Sequence, residues 1–273
     1  FCGVVGLKPT YGRVSRYGLT ALASSLDQIG PITKIVADAE KICQVIAGVD
    51  ENDATTVDAK FFESKTGEKF KIGVPRHLIS SGVQAEVLAN FEQVLEKLKQ
   101  AGHEIIETEL PAVKYSLACY YIIMPAEASS NLARFDGLRY GLKKEGNNLL
   151  ADYLQTRSTG FGPETRRRIM LGTYVLSAGY YDAYYGQATR VREVIKHDFA
   201  TAFKNVDLII LPTAPTTAFK IGEQSGDPLQ MYLADVFTAP ANIAGLPAIS
   251  IPTGKDKNNL PIGTQLIAPP WRE

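Results

Sequence analysis

The first 33 residues contain the feature that most restricts the fold, which is a series of glycines and prolines around a short apolar segment. Their sequence is FCGVVGLKPTYGRVSRYGLTALASSLDQIGPIT. Glycine adopts backbone angles that other residues avoid, and it lets other groups approach the chain closely. The stretch therefore predicts a backbone that turns repeatedly and packs tightly. Neither phosphate-binding pattern, G-x-x-x-x-G-K-[ST] or G-x-G-x-x-G, occurs in it.

Composition and charge exclude several classes of protein. Of the 273 residues, 45% are hydrophobic, which is ordinary for a globular protein with a sizeable core. The 29 basic and 29 acidic side chains balance, whereas a nucleic-acid-binding domain would be basic. The three cysteines (Cys2, Cys43, Cys119) form no C-x-x-C pair and the histidines have no metal-ligand spacing. No apolar segment reaches the roughly 18 residues of a membrane span. We therefore expect a soluble intracellular protein without a metal site.

Hydrophobic periodicity predicts an α/β fold. The segments Lys71–Pro75 and His103–Leu110 have the pattern of strands. Between them, Val83–Gln100 has the pattern of an amphipathic helix, and Ser81 with Gln84 matches a capping box. Strand, helix and strand within about 40 residues form a βαβ unit. We therefore expect a mixed, largely parallel sheet that is flanked by helices.

The same patterns predict the remaining elements. Further helices are expected at Val36–Ala47, Tyr115–Asn131, Leu132–Gly141 (with a break near Gly137), Ala151–Ser158, Pro163–Phe203 (with bends at Gly172 and Gly179) and Asp227–Val236, and further strands at Asp207–Pro212, Ala248–Pro252 and Ile262–Ala268. The segment Gly254–Pro261 between the last two strands predicts a hairpin-type turn. The polar segment Asp50–Lys69 lacks periodicity and predicts an exposed connection. The dense tyrosines between 174 and 185 favour an aromatic packing face over a binding cage.

The residues alone indicate no complete catalytic arrangement. Cys2 has no histidine partner, and the nucleophile pattern G-x-S-x-G does not occur. Ser24 and Ser25 are the best-placed loop serines, and hydrogen bonding within a turn is the favoured interpretation of both. An amino-acid substrate would need an arginine for its α-carboxylate and a carboxylate for its α-ammonium group. Arg168 and Asp235 stand out because each adjoins an apolar stretch. The alternative interpretation, that each lies on a solvated surface, stays open for both.

Longer blocks of sequence resemble one family. The opening stretch, with GVVGLKPTYGRVSRYG and ASSLDQIGPIT, is similar to the amidase-signature family. Further blocks resemble the amidase subunits of tRNA-dependent amidotransferases within that family; they are EASSNLARFDGLRYG (Glu127–Gly141), GYYDAYY (Gly179–Tyr185) and PTAPTTAF (Pro212–Phe219). The resemblance implies a partial amidase-signature fold, in which residues 1–273 are the C-terminal portion of a single amidase domain that is truncated at both ends.

The resemblance also implies the residues of the site. In that family the nucleophilic serine lies a few residues before Phe-Cys-Gly, and a second serine and a lysine lie further upstream, so we expect no catalytic residue in this chain. Tyr120, which precedes EASSN, Arg168 and Asp235 correspond to residues that bind the substrate glutamine. The implied ligands are the α-carboxylate for Arg168 and the α-ammonium group for Asp235, and Tyr120 supplies a positioning hydrogen bond.

The function implied by the resemblance is hydrolysis of glutamine to release ammonia. The ammonia would convert Glu-tRNA(Gln), or Asp-tRNA(Asn), to the amidated form within an ATP-using ligase complex of protein biosynthesis. That complex would be a heterotrimer with subunits B and C, in which a partner subunit binds most of the tRNA and uses ATP and Mg, while this chain binds no cofactor. A cytoplasmic or organellar-matrix location is expected, and the fragment alone is expected to be inactive. Two alternatives stay open, a general hydrolase of small amides and a non-catalytic scaffold of the same fold.

Overall fold

The computed structural model describes residues 1–60, 68–223 and 228–273, and of residues 228–230 only the backbone. The strands in these ranges are β1 (Val5–Lys8), β2 (Ile32–Thr33), β3 (Lys71–Val74), β4 (Glu104–Glu107), β5 (Leu208–Pro212), β6 (Ala248–Lys255) and β7 (Pro261–Ile267). The α-helices are α1 (Val36–Ile46), α2 (Ala85–Gln100), α3 (Ser116–Leu132), α4 (Leu149–Gly160), α5 (Pro163–Val175), α6 (Gln187–Ala202), α7 (Pro228–Leu233) and α8 (Ala239–Ile243). None of these helices combines the length and the apolar content that crossing a bilayer requires.

The chain forms two compact units. The sheet unit contains residues 1–17, 28–117 and 191–273, and the helical unit contains residues 18–27 and 118–190. The chain therefore passes from the sheet unit to the helical unit and back twice. The assignment of residues 1–273 to one truncated domain stays a prediction.

The seven strands form one mixed sheet in the order β2-β1-β6-β7-β5-β3-β4. The α/β fold with a mixed sheet and helices is confirmed. Strand β3 pairs in parallel with β4 and β5, whereas the other four pairings are antiparallel, so the sheet is less parallel than predicted. The reason is that the prediction extended one βαβ unit to the whole sheet. The short connection between β6 and β7 can join only antiparallel strands.

The core of the sheet unit lies around β5 and α2. Within β5, Ile209 and Leu211 are fully buried, as its continuous apolar sequence predicts. Helix α2 contacts β4, β5, β6 and β7. Its buried residues Val87, Phe91 and Leu95 recur every four positions and so lie on one face. Burying each such side chain contributes roughly 1.5–3 kcal/mol.

The predicted capping box before α2 is wrong. The helix begins at Ala85, and Gln84 is its N-cap residue without a side-chain cap hydrogen bond. The Gln84 side chain instead accepts a hydrogen bond from the Thr217 backbone N–H at 3.1 Å, and the Gln84 N–H donates to the Pro215 carbonyl at 2.9 Å. These bonds to a distant segment replace the local cap.

The helix predicted at Leu132–Gly141 is also wrong. Helix α3 ends at Leu132, and turns follow. One Arg157 nitrogen donates to the carbonyl oxygens of both Leu132 and Phe135 at 3.1 Å, which satisfies the helix end from outside. Gly137 has a φ of +81°, a conformation that no helix interior contains.

The long helix predicted at Pro163–Phe203 is divided into two. Helix α5 begins with Pro163 in its first turn, as predicted, and ends at Val175, while α6 begins at Gln187. The predicted bend at Gly179 is confirmed by its φ of +83°, whereas α5 continues through Gly172. The predicted helix at Asp227–Val236 is α7, and Asp227 itself lies outside the described residues.

The tyrosines at the end of α5 and in the segment that leads to α6 pack on one another. The rings of Tyr174 and Tyr180 lie 4.5 Å apart between centroids, and those of Tyr181 and Tyr185 lie 5.4 Å apart. This agrees with the predicted aromatic packing. The cluster nevertheless remains largely exposed, since Tyr174 keeps 48% of its accessible surface.

The opening stretch is anchored to distant segments of the sheet unit. Gly12 has a φ of +86°, and a Cβ on it would lie 2.5 Å from the Thr55 carbonyl oxygen. This close approach confirms the predicted tight packing. The connection predicted at Asp50–Lys69 is confirmed where it is described, since it contains no helix or strand and most of its described residues are exposed. Asp53 is the exception, because it is buried and accepts a hydrogen bond from the Arg16 backbone N–H at 2.8 Å. Residues 61–67 of that connection lie outside the described residues.

Candidate functional site

Two of the three predicted binding residues lie on neighbouring helices of the helical unit. Tyr120 is on α3 and Arg168 is on α5. The helices touch at Gly172, where a Cβ would overlap the Pro125 carbonyl oxygen and lie 2.8 Å from the Ser129 Cβ. Only glycine allows this approach, and Arg168 lies one helical turn before it.

The Arg168 side chain is oriented on one edge and accessible on the other. Its Nε donates to a Glu164 carboxylate oxygen at 3.0 Å, and Arg167 binds the other oxygen of the same carboxylate. Within the described part of the chain, the two Nη groups of Arg168 make no hydrogen bond, and 29% of the side chain is exposed. Two parallel N–H groups of a guanidinium suit a carboxylate ligand, so the arrangement fits the predicted role.

The Tyr120 side chain is half-buried and its ring is held by its neighbour. The rings of Tyr120 and Tyr121 lie edge to face, with centroids 5.0 Å apart. Such a contact fixes the ring plane, and the phenol oxygen remains the polar end of the side chain.

Asp235 lies in the sheet unit, between α7 and α8. Its N–H donates to the Tyr232 carbonyl at 3.1 Å, and its carbonyl accepts hydrogen bonds from the N–H groups of Thr238 and Ala239. The turn thus fixes the backbone of an exposed aspartate. Since Asp235 belongs to a different unit from Tyr120 and Arg168, the convergence of all three on one substrate stays a prediction.

The segment with Ser24 and Ser25 forms a compact turn in the helical unit. The Asp27 carboxylate accepts hydrogen bonds from the N–H groups of Leu22 and Ala23 at 2.9 and 3.0 Å, and Leu26 N–H donates to the Ala23 carbonyl at 2.8 Å. Ala23 and Leu26 are buried. We call residues 22–27 the serine turn.

Two side chains of α3 hold the serine turn. Glu127 accepts a hydrogen bond from the Ser25 backbone N–H at 2.8 Å, and Asn131 donates to the Ser24 hydroxyl oxygen at 2.9 Å. Both serines therefore take part in hydrogen bonds of a turn, in agreement with the favoured interpretation. Sequence reasoning did not identify the partners Glu127 and Asn131. Their signal was two polar residues four positions apart in an apolar helix.

The sheet unit also contains a pocket beside β6 and β7. Its described lining includes Val87, Thr213, Ser250 and Ile262 and has no charged side chain. The hydroxyls of Thr213 and Ser250 lie 2.8 Å apart and bind each other. A zwitterionic amino acid would lose its hydration there without gaining ionic partners, so this pocket does not suit one.

Comparison with known proteins gives a consistent result. The family model described as Amidase matches residues 1–273. The chain is 54% identical to the A subunit of glutamyl-tRNA(Gln) amidotransferase from Moorella thermoacetica and 56% identical to that from Halothermothrix orenii, in each case over all of this chain. The crystal structure of the corresponding A subunit from Thermotoga maritima is 47% identical and superposes with a TM-score of 0.79 over 99% of this chain.

The chain spans little more than half the length of these relatives. It covers 57% of the Moorella protein, 58% of the Halothermothrix protein and 55% of the Thermotoga chain. The match extends from the first residue to the last, and the fold and the sequence blocks both agree with it. The chain belongs to the amidase family.

Proposed function

We propose that the intact protein hydrolyses the side-chain amide of glutamine, as the amidase subunit of a glutamyl-tRNA(Gln) amidotransferase. The observation that carries this proposal is the identity of 54–56%, over the whole chain, with relatives of that name. The two alternatives, a general amidase and a non-catalytic scaffold, differ from this function in the amides that the intact protein would cleave.

The charges of the predicted binding residues support glutamine as the substrate. Glutamine carries an α-carboxylate and an α-ammonium group, and both lose hydration in a binding site. The Nη edge of Arg168, which makes no hydrogen bond to the described residues, suits the carboxylate, and Asp235 supplies the charge that the ammonium group needs. Tyr120 adds a phenol that can orient the substrate by one hydrogen bond.

The proposed mechanism is acyl transfer through a serine ester. A serine in the segment that precedes Phe1 attacks the amide carbon, its proton passes through a second serine to a neutral lysine, and ammonia leaves with that proton. Water then hydrolyses the glutamyl ester to glutamate and regenerates the serine. Backbone N–H groups beside the nucleophile stabilise the oxyanion. The residues of this chain bind and orient the glutamine.

The proposed assembly contains two further subunits. These are subunits B and C. One partner subunit would receive the ammonia, bind most of the tRNA, as Glu-tRNA(Gln) or Asp-tRNA(Asn), and use ATP and Mg. Among the described side chains of this chain, no group of three or more His, Cys, Asp and Glu residues could hold a metal ion. We place the complex in the cytoplasm or an organellar matrix.

Ammonia release by the intact protein tests this proposal. Glutamine, asparagine and propionamide are compared at equal concentration, and residues 1–273 alone are assayed beside the intact protein. We expect glutamine to be the best substrate and the isolated chain to be inactive. Faster cleavage of propionamide would support a general amidase, and an intact protein that cleaves none of the three would support a scaffold. Turnover by the isolated chain would place the nucleophile within residues 1–273.

A further inference from the structure

Glu127 joins three segments of the helical unit. It lies on α3 and is half-buried. One carboxylate oxygen accepts the Ser25 N–H at 2.8 Å, and the other accepts the Tyr185 hydroxyl at 3.4 Å. The carboxylate therefore connects α3 to the serine turn on one side and to the π-helical segment Asp182–Gly186, which leads directly into α6, on the other.

Asn131 adds to this connection one helical turn later. Its amide nitrogen donates to the Leu22 carbonyl at 3.1 Å and to the Ser24 hydroxyl at 2.9 Å, and its amide oxygen accepts a hydrogen bond from Arg134 at 3.2 Å. Asn131 is 8% exposed, so little water competes for these bonds. Both atoms of its amide group are used, which fixes the side chain in one orientation.

The same helix is weak beside the predicted substrate tyrosine. Pro125 lies inside α3 between Tyr120 and Glu127. A proline has no N–H, so the helix lacks the internal hydrogen bond from position 125 to the carbonyl of position 121. Tyr120 precedes Glu127 by seven positions, which places both on the same side of the helix. The position of the helix beside Tyr120 therefore depends on contacts from outside it.

We propose that Glu127 and Asn131 are positioning residues, which lock the serine turn onto α3 and so hold Tyr120 in its substrate-binding position. This inference rests on the proposed function for the identity of the substrate. Helix α5 with Arg168 shares the effect, because Gly172 packs directly on α3 at Pro125. Loss of the hydrogen bonds from Glu127 and Asn131 to the serine turn weakens the binding of the substrate, whereas the groups that carry out the chemical step are unchanged.

The test is Glu127→Gln in the intact protein, with Glu145→Gln as the control. The substituted glutamine side chain has the shape of the Glu127 side chain but lacks its charge and one of its two acceptor oxygens. Glu145 is an exposed residue of the same unit, with an 84% exposed side chain. We expect amide hydrogen exchange in residues 22–27 to become about tenfold faster and KM for glutamine to rise about tenfold, because one charge-assisted hydrogen bond is lost. We expect kcat and the midpoint of thermal unfolding to change little, and Glu145→Gln to match the wild type in all four measurements.

Tyr185→Phe is the second variant, in case Glu127→Gln does not fold. It removes only the hydroxyl donor to Glu127, and a rise in KM of about two- to threefold is expected. The inference is overturned if the folded variants keep wild-type exchange in residues 22–27 and wild-type KM, or if kcat falls while KM stays constant. If the wild type cleaves another amide but not glutamine, the proposed function fails. The positioning role is then tested by KM for that other amide and by hydrogen exchange in residues 22–27, and both should rise in Glu127→Gln if the role is correct.

Discussion

Arg168 and Asp235 carry the two charges that an α-amino acid requires. The Arg168 guanidinium is oriented through Nε by Glu164, which leaves the Nη edge for a ligand. A side chain that is held before the ligand arrives loses less entropy on binding. Hydrogen bonds to Tyr232, Thr238 and Ala239 fix the backbone of Asp235, so its side chain also starts from an ordered position in the chain.

Asp235→Asn should weaken the recognition of the ammonium group alone. Removing the charge should raise KM for glutamine about 10- to 100-fold, because a charged hydrogen bond contributes roughly 1.5–3 kcal/mol. Glutaramate, which has the carboxylate and the amide of glutamine but no ammonium group, should be cleaved by the variant and the wild type at similar rates. Steady-state kinetics on both substrates measures this.

The control for this variant is Asp38→Asn, in the first turn of α1. It should leave both substrates unaffected. If Asp235→Asn slows glutaramate as much as glutamine, Asp235 does not recognise the ammonium group.

The sequence indicates some residues of the site but not others, and the reason is physical. Arg168 and Asp235 stand out because a charge beside an apolar stretch is costly unless it has a partner. Glu127 and Asn131 bind a segment 102 and 107 positions away in the sequence, and nothing local indicates which segment that is. Ser24 and Ser25 could be placed in a turn, but the helix that holds the turn could not be identified.

At the scale of elements, the contact between α3 and α5 depends on one glycine. Gly172→Ala would place a methyl group on the Pro125 carbonyl, and the helices would have to separate. Overpacking of this kind costs about 1–3 kcal/mol. We therefore expect a lower free energy of unfolding in urea, together with a raised KM for glutamine, because α5 carries Arg168.

Gly162→Ala provides the comparison. Gly162 precedes the same helix, and a Cβ there would have no atom within 4 Å. Its loss of stability should stay below about 1 kcal/mol, since only the capping preference changes. Equal stability of the two variants would show that α5 does not need the close approach.

Local sequence patterns predicted those elements that depend on residues close together in the sequence. The βαβ unit, α1, α4 and the hairpin of β6 and β7 follow from periodicity and turn residues, and the structure confirms them. Two predictions were wrong, the capping box at Gln84 and the helix at Leu132–Gly141. At both places the hydrogen bonds are made with residues that are distant in the sequence. Arg157 is the clearest example, because it binds the end of α3 from 25 positions away.

At the scale of the whole molecule, a buried ionic cluster anchors the opening stretch in the sheet unit. Arg13 is 1% exposed and pairs with Glu273 at 2.7 Å, and Thr10 N–H donates to the same carboxylate at 2.9 Å. Burial would raise the pKa of Glu273, but these hydrogen bonds bring it below its usual value. Burial lowers the pKa of Lys8 to about 8 against the attraction of Glu273, and raises the pKa of Cys43 to about 11.

The lowered pKa of Lys8 predicts a pH dependence of stability. Between pH 8 and 10.5 the unfolded chain holds one more proton at Lys8 than the folded chain, so this group makes the fold more stable as the pH rises. Cys43 has the opposite effect between pH 9 and 11, because its folded pKa lies above its unfolded value of 9.0. Cys43 is present in both the wild type and Lys8→Met, so its contribution to the pH dependence cancels when the free energies of unfolding of the two proteins are subtracted.

We expect the free energy of unfolding of the wild type, relative to that of Lys8→Met, to increase by about 3 kcal/mol from pH 7 to pH 11. Urea unfolding at a series of pH values measures it. A constant difference across this range would mean that Lys8 titrates alike in the folded and unfolded states.

The class of fold was predictable from the sequence, but the division into two units was not. Alternation of strand and helix patterns is a local property, and it predicts an α/β sheet. The serine turn lies within a ten-residue segment of the helical unit, residues 18–27. Its hydrogen-bond partners Glu127 and Asn131 lie about a hundred positions later in the sequence. Its own sequence contains no sign of them.

The most direct test of the account compares glutamine with 4-aminobutanamide, which lacks only the α-carboxylate. The variants are Arg168→Ala and the control Arg167→Ala, which removes the other arginine on Glu164. In the intact protein we expect Arg168→Ala to lower kcat/KM for glutamine about 100-fold, because a charge-assisted pair is lost, and to leave kcat/KM for 4-aminobutanamide nearly unchanged. Arg167→Ala should change neither value. An equal loss on both substrates, or wild-type selectivity in Arg168→Ala, would contradict the assignment of Arg168 to the carboxylate of glutamine.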